Sequence, residues 1–226
     1  MDTHQRQFDR DLAELKKKLI HMAAVAETMI DQSVQALVSR DQGLVEPLPH
    51  EEEEVNRLQI EIDENAVMLI ATHQPVAGDL RFLLAASKIS GELERIGDLA
   101  VNITENVSVL VRQPPLKPLV DIPRMTEIAR GMIRDSLNAL VRDDVLLAQS
   151  VITTDNQVDA LKDQVLRELL TYMMSDPQTI ERALMLILVA RHLERAADHA
   201  TNIAEDVIYQ VQGRDVRHPL TPREKK

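Results

Sequence analysis

The sequence has no cysteine and no tryptophan, and Phe8, Phe82, Tyr172 and Tyr209 are its only phenylalanines and tyrosines. Lack of cysteine excludes disulfides, thiolate metal sites and a thiol nucleophile. Lack of aromatics removes the stacking platform that a binder of single-stranded nucleic acid uses. Six glycines in 226 residues are too few for an all-β sandwich with its frequent turns. Basic residues are outnumbered 26 to 37, and the net charge of −11 argues against a nucleic-acid partner, whose affinity comes from clustered Lys and Arg. The longest unbroken apolar run, residues 183–190, is far short of the about 20 residues that span a bilayer. The N-terminal residues are polar, so no signal peptide is expected. The chain is expected to be cytoplasmic and to meet a membrane only through partners.

What is present is helix-forming: Leu, Ala, Glu, Arg and Met dominate a composition that is 44% hydrophobic. Apolar residues recur every three to four positions almost throughout. This spacing predicts helices over residues 8–38, 51–72, 80–111, 124–141, 155–174 and 179–212. Pro47 and Pro49 prevent the first helix from continuing. Gln74 to Gly78 reads as a turn with Asp79 as the cap of the third helix, and Arg142-Asp143-Asp144 as a break. Pro177 suits a helix start, and Gly213 suits the residue just past a helix end.

The plan is duplicated. Leu93-Glu94-Arg95-Ile96-Gly97-Asp98 matches Leu193-Glu194-Arg195-Ala196-Ala197-Asp198 at an offset of 100, and Asn102-Ile103 and Glu105 match Asn202-Ile203 and Glu205. Arg40-Asp41 matches Arg142-Asp143 at 102, and Val55-Asn56 matches Val158-Asp159 at 103. The expected fold is all-α: two tandem, pseudo-symmetric three-helix bundles over residues 1–112 and 124–213, a Pro-rich linker over 113–123 and a polar tail over 214–226.

The candidate site is acidic. At about 100° per residue, Glu94, Asp98, Val101 and Glu105 share one face, opposite Leu93, Ile96, Leu99, Ala100, Ile103 and Val107. Glu194, Asp198, Thr201 and Glu205 do the same in the last helix. Asn102 and Asn202 flank the two columns. Carboxylates four residues apart repel by about 0.2–0.5 kcal/mol, yet the pair occurs at matched positions in both halves. A bound divalent or trivalent cation would relieve the repulsion, and all-oxygen donors suit Mg²⁺, Mn²⁺ or Fe. Glu27 with Asp31, and Asp155, Asp159 and Asp163, repeat the spacing and are further candidate ligands if neighbouring helices aim them at the columns, as is Asp135. His199 and His192 are expected to pack through hydrogen bonds, and Arg95 and Arg195 to form ion pairs with helix neighbours. No nucleophile–base pair, phosphate loop or Glu-x-x-His motif is present, which points away from an enzyme.

Gln74-Pro75, Ala77, Asp79-Leu80-Arg81, the Leu93 to Asp98 motif and its partner Leu193 to Asp198 with His199-Ala200, Asn202-Ile203-Ala204-Glu205 resemble the PhoU family over nearly the whole chain. This family is the regulator associated with the bacterial phosphate-specific ABC transporter. The resemblance implies that Glu94, Asp98, Glu194 and Asp198 belong to surface metal clusters. It also implies a non-enzymatic, homodimeric adaptor that touches the transporter's ATPase subunit and the phosphate-sensing histidine kinase. Such an adaptor restrains uptake and the starvation response when phosphate is plentiful. Pro47, Pro49 and the acidic run 51–54 depart from the family, which more often has a short helical stretch there. The alternatives are a metal-dependent carboxylate enzyme and a metal-free helical scaffold.

Overall fold

Four left-handed residues end the helices. Arg40, Gln74 and Asp143 have φ of 58°, 48° and 53°, and Gly213 has 66°. Only Gly213 adopts this conformation without steric cost. In the computed structural model, which describes residues 3–217, these residues follow four of the six helices: α1 (Thr3–Ser39), α2 (Leu48–His73), α4 (Asp121–Arg142) and α6 (Ile180–Gln212), whereas α3 (Ala77–Leu110) and α5 (Val145–Ser175) end without one. Short 3₁₀ turns at Gln42–Val45 and Pro177–Thr179 precede α2 and α6. There is no strand among the described residues, and no described helix is long and apolar enough to cross a membrane. Most of the polar tail, residues 218–226, lies outside the described residues.

The first five helices begin three to ten residues before their expected starts, and α4 takes Asp121, Ile122 and Pro123 from the expected linker. Asp79 sits in the first turn of α3 rather than at its cap; Val76, extended and without a side-chain cap, precedes the helix. α5 starts ten residues earlier than expected, at Val145, because Asp144 caps it by accepting a hydrogen bond from the Leu147 amide at 3.0 Å. Ala148 and Val151 then bury the added turns.

α1, α2 and α3 pack on one another, as do α4, α5 and α6; across the halves, α3 lies on α6 and α1 on α4. α3 and α6 run antiparallel. Arg81 Nε donates to the Gln210 carbonyl at 2.9 Å, Lys88 Nζ meets Asp206 Oδ1 at 3.4 Å, and Glu92 meets His199 and Asn202. The result is one continuous apolar core from Phe8 to Ile208. Burial of Ala183, Leu186, Val189 and Ala190 explains most of the apolar run 183–190: the other half covers it, leaving Leu184 exposed.

The structure also sharpens the repeat. Ser33 and Ser136 each donate to the carbonyl three residues back, Ile30 and Ile133. Arg40 and Asp143 are both left-handed, and Asp41 and Asp144 both accept a backbone amide proton. The register of the first two helices of each half is therefore 103 throughout, not 102 at the first connection.

Gly91 and Gly97 lie mid-helix in α3, where glycine costs about 1 kcal/mol relative to Ala. A Cβ on Gly97 would lie 3.4 Å from Val55 Cγ1 and 3.8 Å from Met29 Sδ, so this glycine lets α1, α2 and α3 converge. A Cβ on Gly91 would meet nothing nearer than Gln59 Nε2 at 3.8 Å, so close approach does not explain it. Gly91→Ala is expected to raise stability by about 0.5–1 kcal/mol through helix propensity, read as a shift of the urea midpoint.

Candidate functional site

The third helix of each half supplies the acidic column, and the second helix supplies what faces it. On α6, Glu194 is held against α5 with its side chain only 19% exposed, while Asp198, one turn on, stays exposed at the groove that both residues line. The reason is that α3 and α6 each touch three other helices and have little free face left. Lys162 of α5 reaches across, its Nζ 2.9 Å from Glu194 Oε1, 2.9 Å from Asp159 Oδ1 and 3.9 Å from Asp163 Oδ1. Lys162, Ile187, Arg191, Glu194, Arg195 and Asp198 line a groove of about 550 Å³.

Crowding of like charge marks this groove. Burial, together with Asp198, Asp159 and Glu194, pushes the Asp155 carboxyl up to about 6. Burial and the charges of Glu194 and Asp159 also raise Asp198. In the first half, burial and the charges of Asp98 and Glu52 raise Glu94. Glu52, which stands at the position matched to Asp155, therefore joins this cluster; sequence reading passed over it as one of four consecutive glutamates. An all-carboxylate, partly desolvated donor set is the kind that a hard cation neutralises. Among the described residues, no three Asp, Glu or His side chains already converge on one point.

Raised Asp155 gives a pH-dependent prediction for metal-free protein. The folded-state value of about 6 lies above the unfolded one of about 3.9, so ionised Asp155 destabilises the fold progressively as pH rises between them. Asp155→Asn is expected to stabilise by about 1–2 kcal/mol at pH 7.5, discounted for partial exposure, with the gain gone by about pH 4. Urea unfolding in chelator at both pH values measures it.

The remaining candidates separate. Glu27 and Asp31 do not face the Glu94 column; they lie against α4, where Arg130 pairs with Glu27 at 3.2 Å and Asp31 at 2.6 Å, and Arg134 reaches Glu27 at 3.7 Å. In the register of 103, Glu27 matches Arg130 and Asp31 matches Arg134, so the halves carry opposite charges at equivalent seam positions. Asn102 donates to the Asp98 carbonyl at 2.9 Å, whereas Asn202 crosses to Glu92 at 2.9 Å. Glu105 and Asp163 are exposed, Glu205 is half-buried, and Asp135 lies 4.0 Å from Arg134.

His199 packs as expected, buried with Nδ1 2.7 Å from Glu92 Oε2. The Nδ1 of His192 is buried without a hydrogen-bond partner, and burial followed by Arg195 and Arg191 lowers its pKa. Arg95 pairs with Glu92 at 3.4 Å. Arg195 departs from expectation, since no ion pair holds it among the described residues. Glu92 and Asp206, the acids that tie α6 to α3, gave no sequence signal because nothing in a helical period distinguishes them from solvated acids.

Comparison with known proteins bears on the same two halves. The PhoU domain matches twice, at residues 19–107 and 122–207. A phosphate-specific transport system accessory protein PhoU homolog of Aquifex aeolicus (strain VF5) is 42% identical over 209 residues, covering 92% of this chain and 95% of that one. A protein of the same description from Pseudomonas putida is 40% identical, covering 94% and 84%. The crystal structure of PhoU from Pseudomonas aeruginosa superposes with a TM-score of 0.87 at 36% identity, over 92% of this chain and all of that one. The phosphate transport system regulatory protein PhoU from Streptococcus pneumoniae gives 0.85 at 26% identity, over 92% and 99%. With both halves matched and the paired three-helix architecture shared, the chain belongs to the PhoU family.

Proposed function

We propose that this protein is a non-enzymatic regulator of phosphate uptake and of the phosphate-starvation response. It acts in the cytoplasm as an adaptor between the ATPase subunit of the phosphate ABC transporter and the phosphate-sensing histidine kinase. The observation that carries this reading is the match of both repeats, over nearly full length, to relatives named as accessory proteins of phosphate-specific transport. Long helical faces and a net charge of −11 suit docking on basic or helical partner surfaces. Exposed Ile60, Val67 and Met68 on α2 offer apolar contact area for a second copy in a homodimer.

Metal completes the proposal. Glu94 and Asp98 with Glu52, and Glu194 and Asp198 with Asp155 and Asp159, are the residues that would hold Mg²⁺, Mn²⁺ or Fe. The ion would supply charge neutralisation, changing the face that a partner meets. Support comes from Glu94, Asp155 and Asp198, whose carboxyls burial and acidic neighbours hold above the ordinary range. Deleting the gene tests the regulatory reading. Phosphate-starvation genes are expected to be expressed in phosphate-rich medium and to fall silent again when the wild-type gene is restored. Unchanged silence in the deletion strain would contradict it.

A further inference from the structure

The outermost stripe of a surface helix is ordinarily polar. In the last turns of α2 and α5 it is largely apolar. Glu64, Val67, Met68 and Ala71 share one face of α2, and all four are exposed. In the register of 103 their counterparts on α5 are Arg167, Leu170, Thr171 and Met174, exposed as well. Val67 is 67% exposed and Met174 87%, so neither serves the core. The one charge in each set has the opposite sign, Glu64 against Arg167. Around them Glu61 pairs with Lys18 and Arg57, Asp63 accepts from Ser87, and Glu168 pairs with Lys117. Neither Glu64 nor Arg167 has an ion-pair partner among the described residues. Upstream, Arg57 is engaged by Glu54 and Glu61, and Asp163 lies 3.9 Å from Lys162, so the complementarity is confined to these last turns.

The chain uses the same device once inside itself: Glu27 and Asp31 of α1 pair with Arg130 and Arg134 of α4, opposite charges at matched positions joined across the seam. Within one molecule α2 packs on α1 and α3, and α5 on α4 and α6, so the outward faces of α2 and α5 are left uncovered. We propose that α2 of each protomer packs on α5 of its partner about a two-fold axis, with Glu64 facing Arg167 and with Val67 and Met68 against Leu170 and Met174. This rests on the homodimer reading above and names its interface. A two-fold axis makes the contact twice and leaves no free copy of either face, so assembly stops at two. Burial of the apolar side chains drives association. The charge pair selects α5 over a second α2, which would set Glu64 against Glu64.

Analytical ultracentrifugation of the full-length protein over a concentration series tests this. Wild type is expected to be a dimer. Glu64→Arg and Arg167→Glu are each expected to weaken it by about tenfold or more, because both contacts of the dimer become repulsive. Their circular dichroism is expected to match wild type, since both side chains are exposed. An equimolar mixture of the two variants is expected to regain wild-type affinity, and so is the double variant, because each arrangement restores two opposite-charge contacts. Single variants that dimerise like wild type would overturn the proposal and leave a dimer formed through another face. A mixture or a double variant as weak as either single variant would also overturn it. Wild type that stays monomeric at every concentration would overturn the homodimer reading, and this inference with it, and leave these faces to a different protein.

Discussion

Leu193→Ala is expected to lower the unfolding free energy by about 3–4 kcal/mol, and to do so for both halves of the chain together. Leu193 is fully buried on α6, the helix that touches α3, α4 and α5, so the loss reaches both repeats through the helix they share. A two-core molecule would lose only its second bundle. The placement of the tyrosines makes the distinction measurable: Tyr172 is on α5 and Tyr209 on α6, so tyrosine fluorescence reports the second half, whereas far-UV circular dichroism reports all six helices. The two urea transitions are expected to coincide in wild type and to move together in the variant. A residual dichroism transition at the wild-type midpoint would mean that the first half stands alone.

Glu92→Ala is the second large effect, expected to cost about 2–3 kcal/mol. Glu92 Oε2 lies 2.7 Å from Nδ1 of the buried His199 and accepts from Asn202 Nδ2 at 2.9 Å, so truncation leaves both groups of α6 without their partner at the seam. Glu92→Gln keeps an acceptor and is expected to lose about 1 kcal/mol. Burial raises the Glu92 pKa, but the hydrogen bonds from His199 and Asn202 and the charge of His199 outweigh it and leave the group below its ordinary value. A depressed carboxyl contributes stability that is complete above its unfolded value of about 4.3 and fades as pH falls through the folded one. The gap between wild type and Glu92→Gln is therefore expected to close in acid, as read from urea midpoints at a series of pH values.

Much of this architecture is readable in the sequence because each helix obeys its own period. The buried set Leu93, Ile96, Leu99, Ala100, Ile103 and Val107 is the stripe that the spacing marks. The first turns of α5 escaped because Val151-Ile152-Thr153-Thr154 has weak helix propensity, which burial of Val151 and the Asp144 cap override. The acidic columns are outward at Asp98, Asp198 and Glu105, but Glu94 and Glu194 are partly covered, since a helical wheel shows the angle between residues on one helix and not how many neighbours that helix has. Glu27 and Asp31 illustrate the same limit. Their spacing resembles that of the columns, yet their partners, Arg130 and Arg134, lie about a hundred positions away on α4. Lys162 escaped notice for a related reason: its carboxylate partners, Asp159 and Glu194, lie on two helices that only the fold brings together.

The central claim is that the two carboxylate columns are the working parts of a phosphate regulator rather than ordinary solvated surface. The most direct measurement puts a variant with Glu94→Gln, Asp98→Asn, Glu194→Gln and Asp198→Asn into the deletion strain and reads a phosphate-starvation promoter in phosphate-rich medium. The account predicts a protein with wild-type helical signal and abundance that leaves the promoter on. Full repression by that folded variant would contradict it.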